Sequence, residues 1–102
     1  MNRFMTRVLL NGYPTAEQFE KLHAEMKKRG FSRVIEGSDS KCYWLPNGTY
    51  HRVTSSTHDQ VFNDAKAAVE TVTMGYELLV CEAPSSKWIG LKLATKADSQ
   101  AA

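Results

Sequence analysis

The feature that most constrains this fold is a unit that occurs twice: a capped helix, a closing glycine and then a strand-like run. The first copy extends from Thr15 to Gly30 and the second from Thr57 to Gly75. Each begins with Thr-x-x-Gln, a capping box whose hydroxyl and amide satisfy free backbone N–H groups of the first turn. Each ends at a glycine, which can take the left-handed conformation that closes a helix. The pattern predicts helices over residues 15–29 and 57–74.

Strand-like segments rich in β-branched and aromatic residues flank both helices. They predict strands at residues 4–10, 31–36, 42–45, 49–53, 76–81 and 88–93, with a turn or a bulge at 46–48 before the extended pattern resumes. Right-handed crossovers then place both helices on one face of a four-stranded antiparallel sheet. We therefore predict an α+β fold, a ferredoxin-like β-α-β-β-α-β sandwich with an added C-terminal edge strand. One domain covers residues 1–95, and a flexible tail covers residues 96–102.

Composition fits a soluble globular domain of 102 residues, with 42% hydrophobic and 24% charged residues and a net charge of +2. Residues 1–41 carry the excess of positive charge. No apolar stretch approaches the ~20 residues that span a membrane, and no secretory leader is recognisable. These features predict a cytoplasmic protein, in which Cys42 and Cys81 are reduced, buried thiols.

The common catalytic motifs are absent from the sequence. The three histidines have no metal-ligand spacing, and Asp59 and Asp64, five residues apart, do not share a helix face. The turn before the first helix has one glycine and a proline, which does not suit a phosphate-binding loop. No nucleophile elbow is present, and neither cysteine has a base beside it. We predict no metal and no cofactor.

Aromatic and basic residues lie together on one predicted hairpin. Bases stack on aromatic or guanidinium planes while cations meet phosphates, so this composition suits single-stranded RNA. An alternating strand also sends about half of such side chains into the core. The candidate RNA-binding residues are Arg33, Lys41, His51 and Arg52.

The first helix carries two candidate catalytic residues, Lys21 and His23. A step of 100° per residue places His23 at the border of the buried face and Lys21 on the exposed side. A border histidine is commonly a packing residue. Metal-independent RNA cleavage, however, needs only a proton acceptor for the 2′-hydroxyl and cations for the phosphorane, which His and Lys can supply.

Several short segments together resemble the GhoS-type antitoxins of type V toxin–antitoxin systems. The resemblance spans roughly residues 6–93, and each segment alone is of low specificity. The segments are Tyr13-Pro14, Phe19-x-Lys21-Leu22-His23-x-x-Met26, Phe31-Ser32, Tyr43-Trp44-Leu45-Pro46-Asn47-Gly48-Thr49-Tyr50, Asp64-Ala65-Lys66-Ala67-Ala68 and Trp88-Ile89-Gly90-Leu91.

This resemblance implies a ferredoxin-like fold similar to small CRISPR-adaptation nucleases, and cleavage of a toxin messenger RNA without a bound cofactor. It associates that activity with basic residues of the first helix, which correspond to Lys21 and His23. His23 departs from the pattern if the family requires arginine there, which affects catalysis more than RNA binding.

A second function is also compatible with the sequence: a phage or mobile-element inhibitor that binds a host or defence protein. Near-neutral charge and a small rigid fold suit that function equally well. A basic stripe across the sheet and first helix would favour RNA, whereas an apolar patch rimmed by mixed charge would favour a protein. The run Trp88–Leu93, expected at a sheet edge, further predicts a homodimer through the C-terminal strands.

Overall fold

In the computed structural model, which describes residues 1–95 and 97–98, two α-helices and six β-strands are present. The helices are α1 (Ala16–Lys28) and α2 (His58–Glu70). The strands are β1 (Asn2–Leu10), β2 (Val34–Glu36), β3 (Cys42–Trp44), β4 (Thr49–Thr54), β5 (Tyr76–Glu82) and β6 (Leu93–Ala94). The α+β class is confirmed. Most of the predicted tail, Lys96 and residues 99–102, lies outside the described residues.

Both predicted capping boxes are present. At α1 the Gln18 amide N–H donates to the Thr15 hydroxyl at 3.2 Å, and the Thr15 N–H donates to the Gln18 side chain at 2.9 Å. Thr57 and Gln60 repeat both bonds at α2. At the other end of α1, Gly30 takes a φ of 86° and its N–H bonds a carbonyl of the last turn, as predicted.

The second helix ends earlier than predicted, at Glu70 rather than near residue 74. The Thr71 hydroxyl donates to the Ala68 carbonyl at 2.7 Å and so takes up one of the helix's free acceptors. The β-branched run at residues 71–73 also disfavours a further turn. Gly75 lies beyond this end and has no positive φ, so it does not close the helix.

The strands form two antiparallel three-stranded sheets instead of the single four-stranded sheet that was predicted. The central sheet has the order β4-β1-β5 and the second sheet the order β2-β3-β6. A backbone bridge between Ser32 and His51 joins them. The break comes at residues 46–48, where Gly48 has a φ of 85° and its carbonyl accepts from the Val8 N–H at 2.8 Å. The chain turns there, which separates β3 from β4.

The predicted C-terminal edge strand is shorter and later than expected. Residues 88–92 are irregular, and only Leu93–Ala94 forms a strand, β6. It pairs antiparallel with β3 at the outer side of the second sheet. The Lys92 carbonyl accepts from the Trp44 N–H at 2.8 Å just before it. Five of the six residues predicted as strand therefore form the loop that leads to β6.

The core lies between the two helices and one face of the central sheet. Alternate β1 residues (Phe4, Thr6, Val8 and Leu10) are buried on that face. The predicted helix seams face them, with Leu22 and Met26 from α1 and Val61, Ala65 and Ala68 from α2 in one cluster. Both helices therefore share one sheet face, as predicted from right-handed crossovers.

Neither α1 nor α2 packs on the opposite face of the central sheet. β1 contributes Arg3, Met5, Arg7 and Leu9 to this open face, and the register places His51 and Cys81 on either side of Met5. Cys81 is exposed and Cys42 half-buried, and both are free thiols. The prediction of two buried thiols is therefore wrong, because alternation along β5 turns Cys81 away from the core.

Candidate nucleic-acid interface

The β2–β3 hairpin presents different side chains on its two faces. Trp44 is paired with Val34 across the hairpin, and Tyr43 with Ile35. Because successive strand residues point to opposite faces, Trp44 and Tyr43 lie on opposite sides of the hairpin. Arg33, whose guanidinium lies over Trp44, also acts electrostatically on His23 of α1, so the Trp44 side is the side toward α1. Tyr43 lines a groove with Arg3 and His51 of the open face.

On the α1 side, four residues from different parts of the chain form what we call the helix-side cluster: His23, Arg33, Trp44 and Tyr50. The Arg33 guanidinium lies over the Trp44 ring, 5.1 Å from its centroid. The Nδ1 atom of His23 lies 2.6 Å from the Tyr50 hydroxyl oxygen. Tyr50 is fully buried, whereas His23, Arg33 and Trp44 each keep part of their surface in solvent. The cluster thus offers an imidazole, a guanidinium and an indole at one surface.

The environment of the cluster keeps both ring systems uncharged. Burial, with a smaller contribution from the Arg33 charge, lowers the pKa of His23 from 6.5 to about 4. Burial also raises the pKa of the Tyr50 phenol, although the Arg33 charge opposes this. At neutral pH Arg33 is therefore the cation of the cluster, and it forms no ion pair with a described carboxylate.

The hydrogen bond between the two rings decides what His23 can do. A phenol is the stronger proton donor and an imidazole nitrogen the stronger acceptor, so we assign the Tyr50 O–H as donor to Nδ1. The proton of the neutral imidazole then lies on Nε2, which can donate to a phosphate or carbonyl oxygen. Acting as a proton acceptor at Nε2 requires the other tautomer, in which Nδ1–H donates to Tyr50.

Arg52 is held by structural contacts. Its guanidinium donates to the Asp64 carboxylate of α2 at 2.8 Å and lies 5.1 Å from the Phe31 ring centroid. Only 14% of its side chain is exposed, against 45% for Asp64. These contacts tie β4 to α2 and leave little of the guanidinium for a phosphate.

His51 faces the other side of the molecule. It lies in a groove between the open face of the central sheet and the hairpin, together with Arg3, Tyr43 and Trp88. Burial, with a smaller contribution from Arg3, lowers its pKa. His51 therefore belongs to a site separate from the helix-side cluster.

The six sequence-predicted residues thus do not form one surface. The structure brings His23 and Arg33 together, whereas Lys21 is exposed elsewhere on α1 and Lys41 at the hairpin turn. Sequence reasoning missed Arg3, because only the β1–β4 register, which pairs it with Val53, brings it to the groove. It also missed the pairing of Arg52 with Asp64, since nothing in the spacing joins β4 to α2.

Within residues 1–95 and 97–98, no group of three or more His, Cys, Asp or Glu residues could hold a metal ion. In the same part of the chain, neither helix has the length and apolar character to cross a bilayer. Comparison with protein-family models and with curated proteins finds no match to this chain.

Proposed function

We propose that this protein is an RNA-directed, antitoxin-like protein that binds a single-stranded messenger RNA through the helix-side cluster. The observation that carries the proposal is the contact of Arg33 with the Trp44 ring beside His23. A base can stack on the exposed part of the indole, because base–aromatic stacking tolerates any sequence. The Arg33 guanidinium can then take the adjoining phosphate through paired N–H donors.

His23 has a supporting part in this proposal. As a neutral donor at Nε2 it can bond a phosphate or base oxygen without a charge of its own. Cleavage of the bound RNA, in the manner implied by the GhoS-type resemblance, would use His23 as proton acceptor and Lys21 as a cation. That reaction needs the alternative tautomer and a base whose pKa of about 4 makes it weak. The geometry therefore favours binding over cleavage.

The experiment is a titration of labelled single-stranded transcripts with the protein at low salt, in the presence of EDTA. We expect saturable binding to a transcript from the neighbouring gene, and that gene to encode a tiny hydrophobic membrane peptide. Any cleavage is expected to survive EDTA and to be reduced by His23→Ala more than binding is, since a proton acceptor acts chiefly in the transition state. Failure to bind any transcript saturably would exclude this function.

We further infer that the architecture is a ferredoxin-like variant in a cytoplasmic protein. In support, the Ser32–His51 bridge places the chain leading to β2 beside β4, so the strands can be ordered β2, β4, β1, β5. β3 and β6 then extend the hairpin. The homodimer remains a proposal: β6 is an outer strand with an exposed Leu93, and light scattering at tens of micromolar tests it.

A second candidate function is inhibition of a host or defence protein. The observation that favours it is the open face of the central sheet, where Leu9, Val53 and Leu79 are 49%, 46% and 62% exposed. Arg7 and Glu77 lie on the same face, so apolar surface is rimmed by both signs of charge. Patches of this composition are typical of protein–protein interfaces.

The two functions make opposite predictions for one pair of variants. Leu79→Asp, on the open face, should abolish a protein complex and leave RNA binding unchanged. Arg33→Gln, in the helix-side cluster, should weaken RNA binding and leave a protein complex intact. Measuring both variants against RNA and against a candidate host protein by size-exclusion chromatography separates the functions.

A further inference from the structure

A groove of about 1040 Å³ lies on the side of the molecule away from the helix-side cluster. The open face of the central sheet forms its floor, through Arg3, His51 and Val53. The hairpin and the loop at residues 83–88 form its walls. Small-molecule sites commonly have 300–1,000 Å³, so the groove can hold a ligand the size of a nucleotide.

His51 is the feature that points to a ligand. The residue is only 8% exposed, and what remains accessible opens into the groove. Its backbone bonds Ser32 in both directions, but its imidazole makes no hydrogen bond to a described residue. Thr6 Oγ1 is the buried side-chain N or O atom that lacks a partner among the described residues, so the unbonded His51 ring nitrogens still reach solvent and a ligand in the groove can bond them. A neutral imidazole has one donor and one acceptor, which suit a sugar hydroxyl or a base edge.

The walls supply an aromatic surface whose orientation is fixed. The Tyr43 and Trp88 rings are in contact, with centroids 5.6 Å apart and planes inclined by 58°. The Tyr43 hydroxyl donates to the Asp39 carboxylate at 2.8 Å. This bond holds the Tyr43 ring, and it lowers the pKa of the Asp39 carboxyl, which therefore stays charged at this wall of the groove. A planar base can therefore stack against either ring.

Cations complete the groove. Arg3 lies at the floor and Lys87 in the loop, and neither forms an ion pair with a described carboxylate. Glu36 also lines the groove and is exposed, so it can accept from a sugar hydroxyl or a base amino group. The groove thus offers an aromatic wall on which a base can stack, cations for a phosphate and a neutral hydrogen-bonding ring for a ribose.

We propose that this groove is a nucleotide-binding site. The base stacks on Tyr43 and Trp88, the phosphate meets Arg3 and Lys87, and His51 bonds the sugar or the base edge. The choice of ligand rests on the proposed RNA function, but the groove shares no residue with the helix-side cluster. The nucleotide is either free or one unit of a bound single strand, and these two sources are distinguishable.

The test uses Trp88 as its own reporter. In Trp44→Phe, Trp88 is the remaining tryptophan, so its emission reports the groove while the helix-side cluster is impaired. AMP, UMP and a single-stranded hexanucleotide are titrated separately into this variant at low salt. We expect saturable quenching that Arg3→Gln weakens about tenfold, the effect of one charged phosphate contact. Arg7→Gln, a cation on the same sheet face outside the groove, is the matched control and should bind as before.

Each outcome decides something. Quenching by mononucleotides and hexanucleotide alike identifies a free-nucleotide site, and quenching by the hexanucleotide alone identifies an RNA subsite; both support the inference. Absence of saturable quenching by all three ligands overturns it, as does equal weakening in the Arg3 and Arg7 variants. If unmodified protein binds transcripts while Trp88 never responds, the groove inference fails and the proposed function stands. If Trp88 responds to mononucleotides while no transcript binds, the groove inference stands and the proposed RNA function fails.

Discussion

The Nδ1 atom of His23 on α1 lies 2.6 Å from the hydroxyl oxygen of Tyr50 on β4. This contact fixes the imidazole at the border of the core, with its other nitrogen available at the surface. It connects the helix on which the sequence places its catalytic candidates to the strand that carries the predicted RNA-binding residues. The Arg33 charge acts on both rings, so the helix-side cluster behaves as one electrostatic unit.

The first prediction concerns that coupling. Arg33→Gln should raise the pKa of His23 from about 4 toward its ordinary value of 6.5, because one of the two causes of the lowered pKa is removed. Burial, the larger cause, remains, so the recovery should be partial. NMR titration of the His23 imidazole measures this shift. Lys21→Gln, a cation on the exposed side of the same helix, should leave the His23 pKa unchanged, and an equal shift in both variants would contradict the assignment.

The second prediction concerns stability and pH. The pKa values of His23 and His51 are both lowered in the folded protein from the ordinary histidine value of 6.5. Below about pH 6.5 the unfolded chain therefore binds more protons at these two residues than the folded protein does. Stability is therefore full above about pH 6.5 and falls as the pH drops toward about 4. The melting temperature should be lower at pH 5 than at pH 7. His23→Gln should reduce this difference in melting temperature, and the part that remains is due to His51. An undiminished difference would show that His23 titrates normally.

The third prediction concerns Gly48, where β3 and β4 separate. A Cβ at this position would lie 2.6 Å from the Val8 carbonyl oxygen, and the φ of 85° already disfavours other residues. The backbone cannot move away without losing the bond from the Val8 N–H. Gly12→Ala is the matched control, because Gly12 has a φ of 78° but open space around it.

We therefore expect Gly48→Ala to lower the free energy of unfolding by about 2 kcal/mol more than Gly12→Ala, the usual cost of forced overpacking. Urea denaturation of both variants measures the difference. Equal losses of unfolding free energy in the two variants would mean that glycine is needed at position 48 because of its positive φ, and not because β1 lies close to it.

The fourth prediction concerns Thr6, which is fully buried on the helix-facing side of β1. Its hydroxyl makes no hydrogen bond within the described residues. Thr6→Val keeps the shape and removes the unpaired group, so it should stabilise the protein by about 1 kcal/mol. Thr49→Val is the control, because the Thr49 hydroxyl accepts from Arg7 at 3.3 Å. Urea midpoints that fall for Thr6→Val would show that this hydroxyl has a partner.

Local signals accounted well for the helices, and less well for the sheet. Capping boxes and apolar seams act within a few residues, so they predicted both helix starts and the buried positions of Leu22 and Ala65. The end of α2 depended on the Thr71 side chain, whose hydroxyl donates to the Ala68 carbonyl of the last turn. The division into two sheets depended on Gly48 meeting β1, a contact between residues 40 positions apart, which no local pattern contains.

In the candidate site, too, local features could be predicted from the sequence and contacts between distant residues could not. His23 was predicted at a helix border from its angle alone, and it lies there half-buried. Its partnership with Tyr50 and Arg33 depends on how the hairpin meets α1. Basic residues that look equivalent in the sequence differ in the fold, since Arg52 is neutralised by Asp64 while Arg33 is not paired with a described carboxylate.

The most direct test of the central claim is fluorescence anisotropy of a labelled single-stranded RNA titrated with the wild-type protein, Arg33→Gln and Arg7→Gln. The claim predicts saturable binding at low salt that Arg33→Gln weakens about tenfold, the effect of one charged hydrogen-bonded contact. The slope of log affinity against log salt should become shallower by about 0.7, because one phosphate contact is lost. Arg7→Gln should bind like the wild type. Absence of saturable binding, or equal weakening by both substitutions, would contradict an RNA interface at Arg33.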